Sequence, residues 1–298
     1  MNTYQTRQAK LTEAKTNTAF VADMLMTSDD PHLHNLAVRM RVCANQVKIN
    51  QSSSRIYFGE GCKIRHCQVC EWRASLKLMA QVAQVGEIVA NDYPDCVWFR
   101  VVLTVSNPRL ARLRQTINDL NNAFTRMSRS WSAVGALKIL EYPSADTGTG
   151  DQQVLRVNLH ANVIVLVPRH KTQEFGSQIG GWWAKANRSG CLGFSCDPLS
   201  QSGLVGVAAY YTKPTPISFD PDYTIALAAQ LHHVHRFQPS GVVKQMMSRV
   251  TAEWKANKDP NYGYYSQPGI VHEYDSRSEV YRELSPKAPP SPAEIAAV

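Results

Sequence analysis

The sequence predicts an α+β fold, an antiparallel sheet covered by helices, with a small metal-binding module ahead of it. Three stretches carry that expectation. Residues 156–167, RVNLHANVIVLV, are β-branched and aliphatic apart from their polar insertions and end at Pro168, the pattern of a buried central strand. Residues 110–131 place Leu110, Leu113, Ile117, Leu120, Phe124, Met127 and Trp131 at alternating spacings of three and four, which is one apolar stripe of a long helix lying on a sheet. Cys62, Cys67 and Cys70 fall within nine residues, with Cys43 upstream, a grouping typical of metal ligands rather than of packing.

The chain has 298 residues, 44% hydrophobic and 19% charged, enough for one large domain or two small ones. It contains neither a long uncharged apolar run nor a charged-then-apolar start, so no membrane partner and a cytoplasmic location are expected. The formal charge of +8 favours a polyanionic partner such as nucleic acid. Seven cysteines in a reducing compartment are not expected to form a disulfide framework.

Taken in order, residues 1–40 read as an N-terminal arm with helices. Residues 41–95 read as a zinc-binding module and connecting helix. Cys67-x-x-Cys70 lets two thiolates share one tetrahedral ion; Cys62 and Cys43 complete the set, with His66 as the alternative to Cys43. With all four positions filled by protein the zinc would be structural, and it would fix a basic loop bearing Arg55, Lys63, Arg65, Arg73 and Lys77, a phosphate-contacting surface. A helix at 71–88 and a strand at 97–105 precede the long helix, whose polar face carries Arg109, Arg112, Arg114, Arg126 and Arg129 against one acid, Asp119. A strand at 136–142 sets Leu137, Ile139 and Glu141 on one face, and the polar connection after it predicts an antiparallel return by 154–167. A helix at 173–185 leads to a short strand or loop at 190–198, with Cys191 and Cys196 packing. A helix at 203–213, stopped by Pro214 and Pro216, completes the 96–216 core. Strand, helix, strand, strand, helix, strand is the ferredoxin-like order. Residues 217–256 form a C-terminal helical segment in which His232, His233 and His235 make a surface or DNA-facing cluster; 257–298 read as a mostly disordered tail.

Strand alternation puts His160 and Asn162 on one face of 156–167. Two polar groups there need partners: a metal ion, or hydrogen bonds to each other or to a nearby loop. Glu141 on the returning strand would stand beside them. On the 203–213 helix Tyr210 and Lys213 share a face, whereas Tyr211 points about 100° away.

In this order the segments resemble the rolling-circle replication initiators (Rep proteins) of small bacterial plasmids, members of the HUH endonuclease superfamily. The likeness rests on Cys67-Gln-Val-Cys70-Glu-Trp-Arg73; on Leu103-Thr-Val with Asn121, Phe124 and Met127; on Gly135 to Glu141-Tyr142 before Asn158-Leu-His160-Ala-Asn162; on Tyr210-Tyr-Thr-Lys213-Pro; and more weakly on Arg236-Phe-Gln-Pro-Ser-Gly-Val-Val-Lys244. It spans roughly residues 40–245.

The resemblance implies a metal-dependent, site-specific DNA endonuclease (nickase) and strand transferase. Tyr210 would attack one strand at the double-strand origin, giving a 5′-phosphotyrosine link and a free 3′-hydroxyl for rolling-circle replication. Mg²⁺ or Mn²⁺ would be held by Glu141, His160 and Asn162. Lys213 would position the phosphate or stabilise the phenolate, and Tyr211 is the candidate second nucleophile. Arg65 and Arg73 of the zinc module and Arg112 and Arg126 of the long helix would contact DNA. The implied partners are plasmid origin DNA, single-stranded at the nick and duplex or hairpin beside it, with host helicase and polymerase. Two positions depart from the family. Its His-hydrophobic-His reads His160-Ala-Asn162 here, or Asn158-Leu-His160 in the other register, and an amide oxygen leans towards Mg²⁺ or Mn²⁺. The Glu four residues before the tyrosine, base for terminating hydrolysis, is Gly206. These departures keep a non-catalytic, zinc-containing DNA-binding regulator as an alternative, beside a transposase or relaxase of the same superfamily.

Overall fold

The structure, a computed structural model, describes residues 3–50, 52–53, 55–59, 61–145, 156–188, 193–211, 214, 218, 220–257 and 269–284. Helix α1 (Thr3–Met26) is followed by α2 (Pro31–Val42), whose start is set by the Asp30 carboxylate accepting from the His32 amide and by Pro31 in the first turn. Strands β1 (Gln46–Asn50) and β2 (Arg55–Phe58) precede α3 (Gln68–Asp92) and β3 (Cys96–Thr104). A 3₁₀ turn (Leu110–Arg112) opens α4 (Leu113–Ser128), and β4 (Gly135–Glu141), β5 (Ser144–Ala145), β6 (Arg156–Val157) and β7 (His160–Pro168) follow. Then come α5 (Thr172–Ala186), β8 (Phe194–Leu199), α6 (Gln201–Tyr211), α7 (Pro221–Leu231), β9 (Phe237–Ser240), α8 (Gly241–Ala256), β10 (Ile270–Asp275) and β11 (Val280–Glu283).

The main sheet runs β8-β3-β7-β4-β9, and every pairing is antiparallel. Numbered along the chain, its first four strands lie in the spatial order 4-1-3-2, the ferredoxin-like arrangement. Strand β7 is central, as its composition predicts, but the expected continuous strand is broken at Asn158 and Leu159, between β6 and β7. Its side chains serve two cores. Ala161, Val163, Val165 and Val167 join Val101, Leu103, Ala136 and Leu140 beneath the stripe of α4 and the Phe175, Ile179 and Trp183 face of α5. Ile164 and Leu166 join Trp98, Leu137 and Ile139 beneath α3, α6 and α8. Each fully buried aliphatic contributes about 1.5–3 kcal/mol. Truncating Ile117, 1% exposed in the middle of the stripe, would cost about 2–5 kcal/mol.

The 217–256 segment is more than helical, because β9 extends the sheet along the outer edge of β4. Pro239 is tolerated there as an edge-strand residue. Two glycines make the join. Gly241 has φ +54°, and a Cβ on it would lie 2.2 Å from the Val134 carbonyl oxygen; a Cβ on Gly135 would lie 2.7 Å from the Val243 amide nitrogen.

A third core packs Leu11, Val21 and Leu25 of α1 and Leu33 and Met40 of α2 around Val47, Ile49 and the cysteine group. The tail expectation is corrected here. Residues 270–283 supply β10 and β11, and β10 pairs with β1 in a second sheet ordered β11-β10-β1-β2. Tyr281 of this hairpin is 5% exposed, and its burial is what orders a polar segment. The module therefore draws on both chain ends rather than on residues 41–95 alone. No described helix is long and apolar enough to cross a membrane.

Candidate functional site

Register brings the predicted ligand trio together. Glu141 lies opposite His160 on the neighbouring strand, Ile139 lies opposite Asn162, and the His160 Nε2 to Glu141 Oε2 distance is 2.8 Å. The three side chains share the face of Ile164 and Leu166, at the end where Thr104 of β3 pairs with His160. Burial pushes the Glu141 carboxyl up, but hydrogen bonding to His160 and Asn162 and the charge of Arg236 hold it below its ordinary value, so it is an anion at neutral pH. Asn162 is 2% exposed, and its Nδ2 faces the Glu141 carboxylate from outside regular hydrogen-bond geometry. Rotating the amide by half a turn would offer an oxygen at that spot beside a carboxylate oxygen and an imidazole nitrogen. This donor set fits a hard divalent cation such as Mg²⁺ or Mn²⁺. Asn158, in the break before β7, is off the strand that carries the other two.

The tyrosines sit at the end of α6, which covers the same sheet face. The helix is described as far as Tyr211, and the expected continuation to Lys213 lies outside the described residues. Leu204, Ala208 and Tyr211 face inward; Tyr211 is 3% exposed, and Tyr210 is 60% exposed with its ring 5.7 Å from that of Tyr211. Burial pushes the Tyr211 hydroxyl up to about 12, opposed by the Arg100 guanidinium and reinforced by the Glu141 charge. Arg100, which sequence reasoning missed, lies on the same sheet face, donates to Asp197 at 2.8 Å and interacts electrostatically with both tyrosines. Only pairing register reveals it.

Cys43, Cys62, Cys67 and Cys70 converge with all four Sγ atoms within 4.8 Å of one another. The Cys43–Cys70, Cys43–Cys67 and Cys62–Cys70 separations are 3.6, 3.6 and 3.7 Å. The edge of a tetrahedron with metal–sulfur bonds of about 2.3 Å is about 3.8 Å, so the four thiols fit a zinc ion. Hydrogen bonds from the other three thiols push the Cys43 thiol far down, and the Cys62 amide also points at its sulfur at 3.4 Å. His66 is not part of the group; it lines a groove, and burial with the neighbouring Arg65 charge holds its imidazole down at about 4. Beneath the cluster, Lys15 of α1 is 1% exposed and donates to the Arg41 and Cys43 carbonyls at 2.6 and 2.7 Å. Nothing in the polar sequence around Lys15 announces that role.

The four predicted DNA-contacting arginines do not form one surface. Arg65 and Arg73 line a groove of about 1030 Å³ with Lys63 and Lys77, closed on the other side by Phe237 and the His232, His233 and His235 cluster. Arg112 and Arg126 line a separate cavity of about 800 Å³. Arg114 has a structural task, donating to the Ala229 and His232 carbonyls at the end of α7. Cys196 is half-buried at the edge strand, and Cys191 lies outside the described residues.

The family described as Replication protein matches residues 53–179, from between Cys43 and Cys62 into α5. Over this stretch the chain is similar to Rep replication proteins. It is 26% identical over 139 residues to Protein rep of Streptococcus pneumoniae serotype 2 (strain D39 / NCTC 7466), covering 44% of this chain and 42% of that one. To Protein rep of Bacillus amyloliquefaciens it is 27% identical over 119 residues, 37% of this chain and 35% of the relative. To that of a Bacillus sp it is 26% identical over 119 residues, 37% and 38%. The chain thus spans about two fifths of the length of these Rep relatives. No solved structure matches it.

Proposed function

We propose that this Rep relative is a plasmid replication initiator that nicks one strand of origin DNA to start rolling-circle replication. The observation that carries the reading is the Glu141–His160 pair with Asn162 on the central strand, beneath a helix whose last described turn carries an exposed tyrosine, Tyr210.

Glu141, His160 and Asn162 would hold Mg²⁺ or Mn²⁺, which when bound supplies Lewis-acid polarisation of a scissile phosphate. Tyr210 is the nucleophile: its side chain is 60% exposed, whereas Tyr211 is buried and its hydroxyl pushed up to about 12. The Tyr210 oxygen forms a bond to phosphorus and gives up its proton, the bond from phosphorus to the 3′-oxygen breaks, and that oxygen leaves as a hydroxyl for polymerase to extend. Attack requires the phenol to give up its proton, so the oxygen needs positive charge nearby to stabilise the phenolate. Arg100 supplies such charge from the sheet face, and Lys213 is proposed to position the phosphate. The groove of Arg65 and Arg73 combines cations with Phe237 and histidine rings, the composition that suits an unpaired strand. Zinc on the four cysteines would hold that wall in place.

The regulator reading has one observation in its favour, the amide of Asn162 where the family has a second imidazole. One experiment separates the two. The protein is incubated with single-stranded oligonucleotides tiling its plasmid origin in Mn²⁺ or Mg²⁺, and denaturing gels read a covalent adduct for wild type, Tyr210→Phe and Tyr211→Phe. A metal-dependent adduct lost in Tyr210→Phe, with binding retained, is the expected result. Loss in Tyr211→Phe instead transfers the role to Tyr211, and no adduct with binding intact leaves a DNA-binding regulator.

A further inference from the structure

We propose that the cavity between α4 and the segment just past α5 is a dedicated binding site for the backbone of duplex DNA, separate from the groove that takes the unpaired strand. The proposal rests on the reading above that the chain acts on DNA. Five arginines converge on this cavity of about 800 Å³: Arg112 from the 3₁₀ turn ahead of α4 and Arg109 from the residue before it, Arg126 from α4, Arg156 from β6 and Arg188 just past α5. Asp119 is the one acid in the lining, and its Oδ1 accepts a hydrogen bond from Gln115 at 3.1 Å. Among the described residues none of the five arginines pairs with a carboxylate.

Two of the guanidinium groups are pre-positioned by backbone. Arg126 donates to the Ala186 carbonyl at 2.7 Å and Arg156 to that of Asn107 at 2.9 Å. Arg109, Arg112 and Arg188 stand exposed around them. Five like charges brought together from positions 79 residues apart (109 to 188) repel one another until an anion sits among them. A phosphodiester backbone meets that need with closely spaced charges.

The lining distinguishes duplex from single strand. No aromatic ring is among the described residues of this cavity, so it offers unpaired bases nothing to stack on, whereas the Arg65 and Arg73 groove has Phe237 and histidines. Contacts to phosphate alone suit a helix whose bases are already paired. The position is also suitable. Asn107 of the lining lies three residues beyond Thr104, which pairs with His160, so the cavity opens at the sheet end that carries the trio, on the opposite face. Duplex held there would run up to the point where one strand separates and crosses to the tyrosine side.

The test compares the full-length wild type with an Arg109→Ala, Arg112→Ala, Arg188→Ala triple variant, all three positions being exposed, and confirms equal melting temperatures. Binding to a fully paired hairpin oligonucleotide and to an unpaired oligonucleotide is followed by fluorescence anisotropy across a salt series. The expected result is at least about tenfold weaker hairpin binding, with the slope of log K against log salt smaller by about 0.9 for each phosphate no longer neutralised, and unchanged binding of the unpaired strand. An unchanged hairpin slope, or an equal loss for both oligonucleotides, would overturn the proposal. Absence of an adduct in the wild type would remove the nicking reading while leaving the hairpin result to decide this one.

Discussion

Glu71 and Arg236 form a buried ion pair, Oε1 to Nη1 3.7 Å, that joins the cysteine cluster to the tyrosine helix. Glu71 follows Cys70 in the first turn of α3, and Arg236 precedes β9. The second amino group of Arg236 donates to the Tyr211 carbonyl at 3.3 Å, and its own carbonyl accepts from Leu140, the neighbour of Glu141. One residue thereby joins three elements: its guanidinium touches the cluster's helix and the end of α6, and its backbone carbonyl pairs with β4. Arg236→Met should cost about 3–5 kcal/mol, because Glu71 is left charged in a buried site. Arg236→Met with Glu71→Leu should recover most of that in urea unfolding; a double variant as unstable as the single one would show that the pairing is not what matters.

Removing the metal should unfold a module rather than the whole chain. The cysteines pack with α1, α2 and β1, in a core distinct from the two that flank the main sheet. Elemental analysis should find one zinc per chain, and Cys67→Ser should lose it. Amide exchange should then accelerate in residues 11–50 and 270–283, with β3 and β7 still protected. Uniform loss of protection would mean that the cores are not separable.

Stability should depend on pH through Lys138, which is 2% exposed on β4, donates to Asn121 Oδ1 at 2.5 Å and lies 4.6 Å from the Phe124 ring centroid. Burial lowers its pKa from 10.5 to about 8, so the folded protein prefers the neutral amine. Below pH 8 the lysine is charged in both states and the full burial penalty applies; as pH rises from 8 towards 10.5 the penalty fades and stability increases by ~3 kcal/mol. Lys138→Met should flatten this rise. The difference between the two proteins isolates it from Tyr211 and Tyr223, both pushed up to about 12, which lose stability as pH climbs past the ordinary tyrosine value of 10. Parallel curves for the two proteins would exclude Lys138 as the cause.

Gly206→Glu should be tolerated, since a Cβ there meets nothing within 4 Å on the exposed side of α6. Replacing a helical glycine should add about 0.5–1 kcal/mol of stability and set a carboxylate one turn before Tyr210. If the proposed adduct forms, this carboxylate should speed its hydrolytic release, read as shorter adduct lifetime on denaturing gels. A lowered melting temperature would contradict the open space seen at this position.

What the sequence determined by itself was local. The alternation of 160–167 and the three-four stripe of 110–127 marked the central strand and its covering helix, because period reports which side of an element is buried. The Cys67-x-x-Cys70 spacing likewise marked two thiols that a single turn can bring together. The tertiary structure decided what those faces meet. Pairing placed Glu141 opposite His160 and added β9 to the sheet; it also recruited 270–283 to β1 across more than two hundred residues, a contact that no local period records. Packing of α6 buried Tyr211 and left Tyr210 exposed, although the two are adjacent in a run with no amphipathic stripe to rank them. The same long-range packing divided Arg65 and Arg73 from Arg112 and Arg126, and brought Lys15, Arg100, Arg156 and Arg188 to places their neighbours in sequence do not predict, because charge on an exposed face constrains the fold too weakly to be read from pattern.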